Sequence, residues 1–213
     1  LRPALNQGTP IVVLEPSCWS VLRDEIAEML PNHPQTRAIT ENTFLLGEFL
    51  QKDSDGGALP KLRGKVLMHA HCHHKAIIKK AEHEQEVLKS MGAEVELLNS
   101  GCCGMAGSFG LEMDKYDVSV KVGEHMLLPS VRRAGLNTAL VADGFSCREQ
   151  ISQLTTRHAL HFAEILDHAV KNPDTRLESH PESPYIAQHE RAVRKSKRRT
   201  ATVLVLLAGA AVA

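Results

Sequence analysis

The chain has 213 residues, 43% hydrophobic and 23% charged, with 25 acidic side chains against 25 basic ones. That length accommodates one well-buried domain and a tail, and nothing in the even charge points to a polyanion partner for the chain as a whole. Five cysteines are too few for a disulfide-framework mini-protein.

The opening Leu1-Arg2-Pro3-Ala4 has neither an initiator Met nor a positive-then-apolar run, so it reads as an internal fragment without a signal peptide. The first apolar run, Ile11 to Leu14, leads to Cys18. Trp19, Leu22, Ile26 and Leu30 then fall on one helical face before Pro31. Asp53-Ser54-Asp55-Gly56-Gly57 marks an exposed loop. A second run, Lys65 to Met68, leads to Cys72 and a helical pattern through Ile77, Ala81, Leu88 and Met91, with Gly92 in the C-cap position. The third, Val95 to Leu98, leads to Cys102-Cys103. Tyr116 to Ala134 reads as a helix carrying Val118, Val122 and Met126, ending before Gly135, with Pro129 kinking or splitting it. The fourth run, Ala139 to Ala142, leads to Cys147, and Ala159, Phe162, Ala163, Leu166 and Val170 form a last amphipathic segment. Residues 172–190, rich in Pro, His, Ser and Glu, read as linker.

Short apolar runs alternating with helices predict an α/β fold: a mostly parallel sheet with flanking helices. Every cysteine lies at the carboxyl end of an expected strand, where such sheets bind ligands. The tail combines a basic stretch, Arg191 to Arg199, with the apolar run 201–213. As a helix that run spans about 20 Å, short of the roughly 30 Å hydrocarbon core. A membrane segment starting there would keep its basic flank cytosolic. No aromatic residue interleaves with the basic run, which argues against a nucleic-acid partner.

Cys102 and Cys103 are neighbours, and Cα atoms about 3.8 Å apart fall below the roughly 4.4–6.8 Å of ordinary disulfides. Metal-bound or reactive thiols in a reducing, cytoplasmic setting fit better. A four-iron cluster needs four thiolates aimed at one small volume, and Cys72, Cys102, Cys103 and Cys147 supply that number. Cys18, Cys72 and Cys147 precede helical patterning, and helix N-termini favour thiolates. Gly101 and Gly104 flank the pair, letting backbone approach an inorganic core closely. Competing readings are a zinc site built from cysteines together with the His69, His71, His73 and His74 cluster, an inert Gly-Cys-Cys-Gly turn, and a merely buried Cys18.

These residues resemble the cysteine-rich CCG-domain family. It occurs in heterodisulfide reductase, in iron–sulfur subunits of glycolate oxidase and anaerobic glycerol-3-phosphate dehydrogenase, and in the iron–sulfur C-terminal part of FAD-linked oxidases. The likeness lies in Glu15-Pro16-Ser17-Cys18, His71-Cys72-His73-His74-Lys75-Ala76, the loop Ser100 to Gly110, and Ala142 to Arg148. Family members carry two copies of the motif. The resemblance therefore implies the end of a first repeat at 1–60, a complete second repeat at 61–171, linker and basic flank at 172–200, and an apolar segment at 201–213. It further implies a 4Fe-4S-type cluster on Cys72, Cys102, Cys103 and Cys147, with Cys18, Gly101 and Gly104 as further cofactor-binding residues and no catalytic residue of its own. The expected function is electron transfer from a FAD-linked 2-hydroxy-acid dehydrogenase, as domain or subunit, to a downstream acceptor at the cytosolic face of a membrane. FAD is expected only in a missing upstream part. The alternative is a zinc-binding or cluster-less structural domain. One departure stands out: the family ends each copy in Cys-x-x-Cys, and Gly144 occupies the first of those positions here.

Overall fold

The structure, a computed structural model, describes residues 2–52, 59–78 and 82–210. After helix α1 (Arg2–Asn6), strand β1 (Ile11–Val13) runs into α2 (Pro16–Ser20). A π-helical turn, Val21–Glu25, then continues without a break into α3 (Ile26–Met29). Next come α4 (Thr36–Asn42), β2 (Thr43–Leu45) and α5 (Leu46–Lys52), with β1 and β2 paired in parallel. The expected loop at Asp53 to Gly57 lies outside the described residues.

The central unit follows. Strands β3 (Leu62–Arg63) and β4 (Lys65–Met68) lead through a π-helical turn, His74–Ile78, to α6 (His83–Met91) and β5 (Glu94–Leu97). A 3-10 turn, Phe109–Leu111, precedes α7 (Tyr116–His125) and α8 (Leu127–Arg133), and β6 (Thr138–Val141), α9 (Phe145–Leu154) and α10 (Phe162–Lys171) complete it. Strand β7 (Thr175–Arg176) pairs with β3, and α11 (Ser183–Ala210) is the last described element. The main sheet has the order β5-β4-β6, all parallel. This is the mostly parallel α/β arrangement that the sequence predicts.

Alternation along the strands builds two cores. Val66, Met68, Ala139 and Val141 face one side, against Val87, Leu88 and Met91 of α6 and Phe162, Ile165 and Ala169 of α10. Leu67 and Leu140 face the other, against Leu127 and Val131 of α8 and Ile151 of α9. The chain leaving β4 thus turns to one face and the chain leaving β6 to the opposite face. A crevice opens between their carboxyl ends, the usual ligand position in doubly wound sheets.

Several local expectations need correction. Val118, Val122 and Met126 are exposed, and α7 buries Ser119 and Gly123 instead. The helix breaks at Met126, so Pro129 sits in the first turn of α8, where its missing N–H costs nothing. On α10 the buried stripe is Phe162, Ile165 and Ala169, while Val170 is exposed. The apparent linker 172–190 packs onto the domain. There β7 joins β3, Leu177 is buried, and the buried Arg157 pairs with Glu182 at 2.6 Å.

Glu84, on α6, is almost fully buried, its carboxyl lying where a side chain on Gly47 would be, and 3.8 Å from His74 Nε2. Burial pushes this carboxyl up to about 8. Such a group binds its proton more tightly folded than unfolded. Its penalty is therefore absent below the unfolded carboxyl range and grows as pH rises toward 8. We expect Glu84→Gln to change stability little at pH 5 and to raise it at pH 8.5 by on the order of 2–4 kcal/mol, read by urea unfolding at the two pH values.

Candidate metal centre

Strand register brings the cysteines to one end of the sheet. Met68 is level with Leu97 and with Val141, so the loops carrying Cys72, Cys102-Cys103 and Cys147 all start from one rim. The sheet extends slightly past those ends, with the His69 amide donating to the Val141 carbonyl and the Leu98 amide to the Met68 carbonyl, both at 2.8 Å.

Four thiols from three loops meet there in a chain of hydrogen-bonding contacts: Cys72 with Cys102, Cys102 with Cys103, and Cys103 with Cys147. Cys103 and Cys147 are buried, and Cys72 and Cys102 are half-buried. The protons are unevenly shared. Cys102 is held far below the usual thiol range by hydrogen bonds from Cys103 and Cys72, and Cys147 likewise, first by Cys103 and also by His69. Cys72 and Cys103, the donating partners, are pushed up by their contacts with Cys102 and by burial. Backbone amides assist: the Gly104 N–H points at Cys102 Sγ from 3.4 Å, and those of Met105 and His73 favour the thiolates of Cys103 and Cys72. Cys18 is exposed on α2 and outside this chain of contacts, so it is not the merely buried apolar residue of the competing reading.

The glycines divide. Gly104 has φ +99°, and a Cβ on it would lie 2.1 Å from the Ser119 carbonyl oxygen; a Cβ on Gly101 would meet nothing within 4 Å. Small residues also let α7 lie across the loop, since a Cβ on Gly123 would come 2.9 Å from the Cys103 carbonyl. Gln150 of α9 ties the layers together by donating to the Ser119 carbonyl at 3.2 Å. At Gly144, the position of the absent cysteine, a Cβ would fall 2.2 Å from Cδ2 of His71. The buried His71 ring therefore fills that space, its Nδ1 accepting from the His73 amide at 3.2 Å.

Polar residues of these same segments surround the thiols, in roles the sequence did not indicate. Ser100 Oγ lies 2.7 Å from His69 Nδ1, which leaves buried His69 Nε2, without a well-formed partner, for the Cys147 side. The Lys75 ammonium donates to the Ser100 carbonyl. Arg148 Nη1 donates to the Ala142 carbonyl at 3.1 Å, fixing the turn before Cys147. Glu15, from the first half of the chain, accepts from the Phe145 amide at 2.8 Å and so caps α9.

The donor set suits a thiophilic metal group: four thiols, two already favouring thiolate, with amides and an ammonium to offset negative charge. Among the described residues, no three His, Cys, Asp or Glu side chains surround a point suited to one metal ion. The four thiols instead rest on each other.

Gly104→Ala should lower stability by roughly 2 kcal/mol or more, whereas Gly101→Ala should stay within about 0.5 kcal/mol of the parent. Chemical denaturation of both variants measures the contrast.

No protein-family profile matches the chain. Among curated proteins, a subunit of the anaerobic glycerol-3-phosphate dehydrogenase of Escherichia coli K12 is 27% identical over 175 residues, 80% of this chain and 43% of that protein. D-2-hydroxyglutarate dehydrogenase is similar too, at 28% identity over 168 residues in Pantoea ananatis and 23% over 167 in Pseudomonas putida. The match takes in 78% of this chain but only 16% of the relative in each case. The chain thus spans less than half the length of the curated relatives it matches. The resemblance read from the Cys-Cys-Gly loop is borne out at this level: the chain is a homologue of one part of larger dehydrogenases, a domain linked to oxidoreductases.

Proposed function

We propose that this chain is the iron–sulfur electron-transfer part of a FAD-linked dehydrogenase, with Cys72, Cys102, Cys103 and Cys147 as the ligands of a four-iron cluster. The observation that carries the reading is the meeting of these thiols, from three separate loops, at one rim of the sheet. A cluster held there would accept and release single electrons. The residues of the chain do the rest. Cys102 and Cys147 offer thiolates, while Cys72 and Cys103 give up their protons when they bind. Burial of Cys103 and Cys147, 3% and 1% exposed, keeps water from that side. Amides at Gly104 and Met105 supply hydrogen bonds that tune potential without proton chemistry.

A small 2-hydroxy acid is the proposed substrate class of the whole enzyme, supported by the relatives named D-2-hydroxyglutarate dehydrogenase. The flavin partner would supply the electron. For the acceptor we favour the cytosolic face of a membrane, on the strength of the exposed basic stretch Arg191, Arg194, Lys195, Lys197, Arg198 and Arg199 on α11. No helix among the described residues is long and apolar enough to cross a membrane.

Anaerobic purification, reconstitution and measurement of iron and sulfide per chain test the assignment. The expected result is about four irons per chain, a brown absorbance, and an EPR signal on dithionite reduction. Cys103→Ser should lose nearly all of the iron, and Cys18→Ser should retain most of it. Stoichiometric zinc, or a folded colourless protein with four free thiols, would overturn the cluster and leave a structural thiol domain.

A further inference from the structure

Lys75 lies one helical turn beyond His71, its amide donating to the His71 carbonyl at 3.1 Å. Its ammonium reaches across to the Ser100 carbonyl, immediately before Gly101-Cys102-Cys103. A positive charge is thereby fixed between the loop of Cys72 and the loop of the vicinal pair. The ammonium is half-buried, and its hydrogen-bond acceptor is a neutral carbonyl, not a carboxylate. Burying an unpaired ammonium is costly, and a lysine so placed tends to lose its proton. Burial does lower the Lys75 pKa, and what raises it again is the charge at the thiol site, first at Cys147 and then at Cys72 once that thiol gives up its proton. The fold has placed a cation beside the Cys-Cys loop, and the anionic positions that act on it are those of the thiols Cys147 and Cys72.

We propose that Lys75 sets the reduction potential of the group held by Cys72, Cys102, Cys103 and Cys147, acting through its fixed charge as a positioning residue for the electron. The proposal rests on the iron–sulfur reading above. Reduction adds one electron to the core, delivered by the flavin partner and passed on to the acceptor. No bond to the protein forms or breaks, and Lys75 keeps its proton in both states. The reduced core is one charge more negative, so a nearby cation favours it more than the oxidised core. Removing the charge therefore lowers the potential.

A purely structural Lys75, clipping two loops together through Ser100, makes a different prediction, and three substitutions separate the two. Lys75→Arg keeps the charge. Lys75→Gln keeps a donor for the Ser100 carbonyl and loses the charge. Lys75→Met loses both. Iron and sulfide are measured for each reconstituted protein, followed by an EPR-monitored potentiometric titration with dithionite. Gln and Met variants should shift the reduction equilibrium about tenfold toward the oxidised form, 59 mV for one electron, with Arg within about threefold of the parent. If Lys75→Met fails to load, Lys75→Gln decides, because it preserves the clip. A fully loaded Lys75→Gln protein at the parental potential overturns the proposal and leaves the cluster assignment intact. A parent protein that takes up no iron removes the iron–sulfur reading itself, and this inference with it.

Discussion

The site depends on three parallel strands ending level. Met68, Leu97 and Val141 share one register, so three loops separated by tens of residues start within a strand spacing or two of one another. A slip of one residue in either pairing would turn a strand's apolar set away from its core. It would also displace the loop beyond it. The two cores on opposite faces of the sheet fix this register, and their packing, which on one face takes in Cys103 and Cys147 themselves, decides whether the thiols meet.

Bringing sulfur together has an electrostatic cost that the surrounding residues answer. Several thiolates in one half-buried volume repel each other, and the contacts found here distribute protons so that Cys102 and Cys147 carry the charge while Cys72 and Cys103 donate. Amides of Gly104, Met105 and His73 add partial positive charge at no entropic expense, since the loop backbone is already fixed. His69 and Lys75 add to it, and both are anchored on Ser100. One serine at the end of β5 therefore organises two of the groups that face the thiols, through its hydroxyl and its carbonyl.

Much of this was legible in the sequence because strand, short loop and cysteine recur with a fixed polarity. The runs at Ile11, Lys65, Val95 and Ala139 are strands within a residue of their expected limits. Gly92 caps α6 in the left-handed conformation at φ +105°. What failed was the reading of α7. Apolar spacing marked Val118, Val122 and Met126 as its inner face, but the helix crosses the Cys-Cys-Gly loop, where only Ser119 and Gly123 leave room for backbone. Hydrophobic periodicity finds faces that pack on side chains, and it misses a face that packs on main chain. Lys75 and Ser100 escaped for a related reason. Each is an ordinary polar residue whose role exists only once two loops distant in sequence are adjacent.

Gly144 shows how the same geometry absorbs a departure from the resembling family. A side chain at this position would collide with the His71 ring, so the place of the missing cysteine is filled, not empty. The ring is in turn held by the His73 amide and by its edge contact with the His73 ring at 5.1 Å between centroids. His73 itself meets Ser20 Oγ at 3.1 Å, in α2, the helix that carries Cys18. Glu15, just before α2, caps α9 through Phe145, and His161 Nε2 lies 2.9 Å from the Leu14 carbonyl. The segment 11–20 is thus tied to the thiol rim at three points, on both sides of the crevice. Cys18 lies outside the thiol chain, yet the helix that bears it braces the loops of Cys72 and Cys147, so that half of the molecule helps hold the geometry on which the proposed electron transfer rests.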